Sequence, residues 1–200
     1  MTTATETPET PETIARRAWR RTAWIILAGA GAGAIIGVLL ERVSPGPGWP
    51  LVIVGCTATV GGLAGAFSLI ATSLRLSPQM QATLAGLSRF GRKTLSQAIA
   101  KQAPIEPADS ELARRAFDLA RLRAVYQPIA LGQFLLLCLG LVGPQLPNLT
   151  DDDPFTAGFS RGLCGALLVA AVAFTPLLLR QSRAARRYVQ AATEAAARQR

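Results

Sequence analysis

The 200-residue chain has no histidine, three cysteines and only 6% aromatic residues. The absence of histidine excludes Ser-His-Asp and Cys-His catalytic pairs and removes the commonest side-chain ligand of transition metals. Cys56, Cys138 and Cys164 form no CxxC pair and lie in apolar stretches, where cysteine acts as a small packing residue. We therefore predict no catalytic, cofactor-binding or metal-binding residue, and the chain is not expected to be an enzyme.

Charged residues are missing from four long apolar segments. These segments run over residues 23–40, 51–74, 129–146 and 163–179, and none contains Asp, Glu, Lys or Arg. A helix crosses the bilayer core with about 20 apolar residues, and about 17 is the lower limit. The sequence therefore predicts an all-α integral membrane protein with four transmembrane helices in a bundle.

Basic residues are scarce in two of the three connections between these segments. Except for Arg42 and Arg161, all 21 Lys and Arg residues precede the first segment, separate the second from the third, or follow the fourth. Because four spans return the chain to its starting side, the positive-inside rule predicts that both termini and the central connection are cytoplasmic. The expected location is the plasma membrane, and the Arg- and Ala-rich composition is typical of a GC-rich bacterial genome.

Composition divides the chain into five parts. We predict a disordered cytoplasmic tail at 1–13, a basic helix with the first two spans at 14–74, a cytoplasmic helical loop at 75–127, the last two spans at 128–179, and a basic cytoplasmic helix at 180–200. In both halves a basic helix tipped by an aromatic residue leads into a span. Two parallel two-span halves are therefore possible.

The loop at 75–127 is predicted to hold two basic amphipathic helices. Ser77-Pro78 is typical of the start of a helix, and Asp109 or Ser110 is expected to cap the second one. The two helices would lie on the inner leaflet, pair with each other, or extend the bundle into the cytoplasm. The sequence leaves these three arrangements open.

The two short connections are predicted to face outward. Residues 44–50 are dense in proline and glycine, which predicts a tight hairpin. In the other connection, Thr150 or Asp151 is expected to cap a helix that begins at Pro154. This capping role is favoured over a cation site, because consecutive aspartates point in different directions.

Glycines recur every four positions in the first two apolar segments and at the start of the fourth span. This spacing places them on one helix face, where they let a neighbouring backbone approach closely. The pattern indicates packing within one bundle or, alternatively, a glycine zipper between subunits around a pore. The helix-packing residues predicted on this basis are Gly29, Gly33, Gly37, Gly61, Gly65, Gly158 and Gly162.

Basic residues cluster beside the apolar segments, where anionic headgroups attract each of them by about 1 kcal/mol. Nucleic acid is not an expected partner, because these residues fall in three separate segments with few aromatics. The residues predicted to contact anionic lipid or a protein partner are Arg16, Arg17, Arg20, Arg21, Arg89, Arg92, Lys93, Arg183, Arg186 and Arg187.

Together these patterns favour a non-enzymatic scaffold or partner-binding subunit that acts through its basic cytoplasmic helices. Structured, charged sequence is concentrated there, whereas the outer connections are short. The expected partners are a bilayer with anionic headgroups and a protein partner or a second copy of the chain. The alternative is an oligomeric small channel or transporter. The apolar segments hold no ionisable residue of the kind that marks proton relays, so proton-coupled transport is not expected.

Overall fold

The computed structural model describes residues 11–43, 48–107 and 110–198. Within these ranges there are no strands, and the helices are α1 (Pro11–Val43), α2 (Trp49–Leu84), α3 (Arg89–Lys101), α4 (Glu111–Val142) and α5 (Pro154–Arg198). Two 3-10 turns, Gly143–Gln145 and Pro147–Thr150, lie between α4 and α5. The predicted all-α class is confirmed. The helices α1, α2, α4 and α5 are long and apolar enough to cross a membrane.

The N-terminal helix begins earlier than predicted. Residues 11–13 were assigned to a disordered tail, but α1 starts at Pro11. Proline suits the first helical position, because its fixed φ matches the helix and its missing N–H would have no intrahelical partner there. The rest of the predicted tail, and residues 44–47 of the predicted hairpin, lie outside the described residues.

The prediction that a helix starts at Ser77-Pro78 is wrong, because α2 continues through Pro78 to Leu84. Proline inside a helix removes one backbone hydrogen bond and costs about 3 kcal/mol. Met80 and Leu84 offset this cost, since both pack against the hydrophobic core described below. The break comes instead just beyond α2, at Gly86, whose φ of 74° is one that glycine adopts without strain.

Two serines cap the helices of the predicted loop. Ser88 Oγ accepts a hydrogen bond from the Gly91 backbone N–H at 3.1 Å and begins α3. Ser110 Oγ accepts one from the Ala113 N–H at 3.2 Å and begins α4. This outcome confirms one of the two predicted caps, whereas Asp109 lies outside the described residues.

The helix α5 begins at Pro154 as predicted, but its cap is Asp153 rather than Thr150 or Asp151. Asp153 Oδ2 accepts hydrogen bonds from the Thr156 hydroxyl at 2.6 Å and from the Thr156 N–H at 3.0 Å. These bonds lower the pKa of the Asp153 carboxyl, because both favour its charged form. Asp151 instead accepts a hydrogen bond from the Asp153 N–H and shapes the turn before the helix.

The chain divides into two compact units. The basic unit comprises the described residues of Met1–Ala18, Ser73–Ile129 and Leu178–Arg200, and the apolar unit comprises Trp19–Thr72 and Ala130–Leu177. Their limits along α2, α4 and α5 fall within two residues of the limits read from composition. Each of these three helices contributes to both units.

In the apolar unit, the glycine face of α1 packs against α2. A Cβ atom added at Gly33 would lie 2.8 Å from the Thr57 Cα, and one at Gly37 would lie 2.7 Å from the Ile53 Cα. A Cβ at Gly29 would lie 3.2 Å from the Gly61 Cα, so the contact extends over three turns. Only a residue without a side chain lets the two backbones approach this closely.

The helix α4 packs on another face of α2 through glycines on both helices. A Cβ at Gly62 would lie 2.7 Å from the Gly140 N, and one at Gly143 would lie 2.8 Å from the Thr59 N. The predicted packing residue Gly65 lies close to side chains of both neighbouring helices, Ile26 and Leu136. The face of α2 between α1 and α4 is therefore made almost entirely of small residues.

Gly158 and Gly162 were predicted to pack in the same way, but the structure places no neighbour against them. A Cβ at either residue would meet nothing within 4 Å, and the same holds for Gly165. The four-residue spacing identifies a face of small residues but does not determine whether protein covers it. Ring contact between Phe134 and Phe174, with centroids 5.6 Å apart, links α5 to α4 in the apolar unit.

The basic unit has its own hydrophobic core. Leu95 and Ile99 of α3, Leu119 of α4 and Tyr188 of α5 are buried together with three alanines. These positions recur at three- and four-residue spacing, so each helix turns one apolar face inward. In this core the helices of the 75–127 loop pack against each other, which is one of the arrangements predicted from the sequence, and against the C-terminal half of α5.

The contact between α1 and α2 predicts opposite effects at two glycines of one helix. Gly33→Ala should lower the thermal midpoint of the full chain in nanodiscs, because overpacking costs about 1–3 kcal/mol. Gly31→Ala should leave the midpoint unchanged or raise it. A Cβ at Gly31 meets nothing within 4 Å, and alanine favours a helix by about 1 kcal/mol over glycine. Equal shifts for the two variants would contradict the α1–α2 contact.

Candidate functional site

The ten basic residues predicted to contact lipid or a partner are all exposed. On α5 this exposure follows from helix geometry, since the arginines alternate with the apolar residues that face the core. Arg183, Arg186 and Arg187 illustrate this, because they flank the buried Ala185 and Tyr188 on α5. The basic unit thus has an apolar core and a surface rich in guanidinium groups.

The start of α3 combines three of these cations with an aromatic ring. Phe90 is 80% exposed and lies between Arg89 and the pair Arg92 and Lys93. The Arg92 Nε donates a hydrogen bond to the Leu87 carbonyl at 3.2 Å, which holds this guanidinium over the preceding turn. An exposed aromatic among cations is the arrangement found where helices meet the headgroup layer.

Arg115 links α4 to the turn that follows α2. Its Nη1 donates to the Ala85 carbonyl at 2.8 Å, and its Nη2 forms an ion pair with Glu111 at 2.6 Å. The two residues of this ion pair lie four positions apart, on one face of α4. Because both side chains are partly exposed, the Arg115–Glu111 ion pair contributes well under 1 kcal/mol to stability. The hydrogen bond from Arg115 to the Ala85 carbonyl holds the turn between α2 and α3.

An apolar groove of about 440 Å³ opens on the surface of the basic unit. The segment after α3 supplies Ile105, α4 supplies Phe117, and the last turns of α5 supply Tyr188. Arg114, Asp118 and Thr193 provide the polar groups of the lining. The remaining residues that line the groove are Pro104, Ala113, Ala192, Ala195 and Ala196.

The composition of the groove suits an apolar ligand segment better than a reaction. Its walls are two aromatic rings, one isoleucine and several alanines, and one cation and one carboxylate accompany them. Small side chains on α5 keep the groove open, because alanine leaves room that a leucine would fill. Such a groove matches the surfaces into which amphipathic helices place their apolar side chains.

The groove was not predicted from the sequence, although the spacing of small and aromatic residues indicates two of the helix faces that form it. Ala113, Phe117 and Ala120 share one face of α4, and Tyr188, Ala192 and Ala195 share one face of α5. Pairing α4 with α5 requires a contact between residues about 70 positions apart, which periodicity does not reveal.

Comparison with known proteins finds no protein-family model, no curated protein and no solved structure that matches this chain.

Proposed function

We propose that this chain is a multi-pass plasma-membrane protein whose basic unit lies in the cytoplasm together with both termini. Two observations support insertion into a membrane. The structure has four helices of sufficient length and apolarity, and their apolar side chains are largely uncovered by protein. Leu168, Val169 and Val172 of α5 are each about two-thirds exposed. Lipid would cover such surfaces, which exceed the patches normally found on soluble proteins.

The proposed orientation predicts which positions a membrane-impermeant maleimide reaches in intact cells. In a variant with Cys56, Cys138 and Cys164 replaced by alanine, Gly46→Cys and Thr150→Cys should be labelled from outside. Lys93→Cys and Arg186→Cys should be labelled only after permeabilisation, because the positive-inside bias places them in the cytoplasm. The reverse pattern would overturn the orientation.

Within this topology, we propose a non-enzymatic binding subunit. The apolar groove on the basic unit carries this proposal, because it is an open, preformed surface on an otherwise charged module. The partner would be a protein segment that places apolar side chains against Phe117 and Ile105. Acidic residues flanking that segment would face the surrounding arginines and increase its association rate.

The groove proposal can be tested by photocrosslinking in living cells. A photoreactive phenylalanine analogue at Phe117 should give a discrete crosslinked species, and the same analogue at Phe90, which does not line the groove, should not give that species.

With the partner identified, Phe117→Ala in the full chain in nanodiscs should weaken binding about tenfold or more, whereas Phe90→Ala should not. Phe117 lies outside the buried core, so the fold should persist. Identical crosslinking patterns at both positions would refute the groove as the binding surface.

The alternative is an oligomeric small channel or transporter, and one observation favours it. Among the described residues, a Cβ at Gly158, Gly162 or Gly165 of α5 would meet nothing within 4 Å, so a second copy could approach α5 at these positions. Against it, the glycines of α1 that would line a subunit interface are covered by α2. One protomer per nanodisc would remove this alternative.

A further inference from the structure

A second cavity in the basic unit differs from the groove in being polar. Its volume is about 570 Å³, and α3, α4 and α5 each contribute to its wall. Two arginines, Arg123 and Arg180, and two glutamines, Gln127 and Gln181, provide most of its polar groups. Ser96, Ile99, Ala100 and Ala184 complete the lining.

The cavity holds positive charge without a matching carboxylate. No Asp or Glu is among the described residues that line it. Arg123 is half-buried, and its Nη2 donates a long hydrogen bond of 3.4 Å to the Ser96 Oγ. A guanidinium withdrawn from water is costly unless an anion or strong acceptors compensate it. The site therefore favours an anionic ligand.

Gln127 indicates a second property of the ligand, a hydrogen-bond donor. Its Nε2 donates a hydrogen bond to the Gln181 Oε1 at 3.0 Å, so the two amides are held together. Its own Oε1 is buried and has no hydrogen-bond partner among the described residues. A buried acceptor without a partner costs about 1–3 kcal/mol, so a ligand with a hydroxyl donor would be favoured here.

The cavity lies next to the ends of two apolar segments along the chain. Gln127 precedes Ile129, where the third segment begins, by two residues, and Arg180 directly follows Leu179, where the fourth ends. Along a helix these separations amount to about 1.5–3 Å. Residues at such positions in a membrane protein lie at the level of the lipid headgroups.

We propose that this cavity binds the headgroup of an anionic phospholipid that carries free hydroxyls, such as phosphatidylglycerol or phosphatidylinositol. The guanidinium groups of Arg123 and Arg180 would bind the phosphate, because arginine matches phosphate oxygens with paired N–H donors. The Gln127 Oε1 would accept a hydrogen bond from a headgroup hydroxyl. This inference rests on the proposed membrane insertion but not on the proposed protein partner. A soluble polyol phosphate shares this chemistry.

Native mass spectrometry of the full chain, titrated with lipid in detergent, tests the proposal. Phosphatidylglycerol should bind at least about tenfold more tightly than phosphatidylcholine, and Arg123→Gln or Arg180→Gln should remove most of that preference. Arg198→Gln is the matched control, because Arg198 is exposed in the last turn of α5 and does not line the cavity. It should retain the preference. Equal loss in all three variants would overturn the site in favour of general surface charge.

Two further measurements distinguish a lipid from a soluble ligand and test the role of the Gln127 amide. Glycerol 3-phosphate, which has the headgroup chemistry without acyl chains, should compete only weakly, and strong binding of it without lipid binding would overturn the lipid assignment. Gln127→Leu should reduce the preference for phosphatidylglycerol over phosphatidic acid while keeping the preference for anions. An unchanged ratio would refute the hydroxyl contact. Because maleimide labelling measures insertion separately, failure of this site would not be confused with failure of the proposed topology.

Discussion

The structure depends on helices that continue from one unit into the other. The helix α5 is 45 residues long and therefore spans about 68 Å, whereas a bilayer core requires about 20 residues. The helices α2 and α4 also extend beyond their apolar segments, with 36 and 32 residues. The parts of α2, α4 and α5 that lie beyond the apolar segments contain both polar and apolar residues. Together with α3, these parts form most of the basic unit.

Each unit uses a different packing chemistry, as expected if the proposed membrane insertion places the apolar unit in lipid and the basic unit in water. In lipid, apolar side chains gain little by meeting one another, so helices associate where small residues allow close backbone contact. The pairs Gly33–Thr57 and Gly62–Gly140 are contacts of this kind. In water, burial of large apolar side chains supplies the stabilising free energy. The core formed by Leu95, Leu119 and Tyr188 follows that second rule.

The sequence predicted the parts of the fold that depend on solvent and local geometry. A bilayer excludes charge, so the extents of the four apolar segments follow directly from where charges are missing. Gly29, Gly33 and Gly37 share one face because helical spacing is a local property, and that face lies against α2. Gly158 and Gly162 share that spacing but meet nothing within 4 Å, since spacing does not specify whether lipid or protein covers a face.

The basic unit was harder to predict because its contacts are long-range. Ser77-Pro78 has the composition of a helix start, and only the packing of Met80 and Leu84 against the distant core explains why α2 continues. Tyr188 directly follows two arginines in the sequence, yet it is 1% exposed. Both candidate sites depend on pairing α4 with α5. The residues of that pairing are individually unremarkable in sequence.

Hydrogen exchange on the full chain in nanodiscs tests most directly whether the basic segments form a folded unit. The core predicts slow exchange for the backbone amides of α3 around Leu95 and Ile99, and for those of α5 around Ala185 and Tyr188, well outside the apolar segments. Leu119→Ala should accelerate exchange in both regions together, because all three helices share one core. Exchange of α3 at the rate of an unfolded peptide, or acceleration confined to α4, would contradict the account.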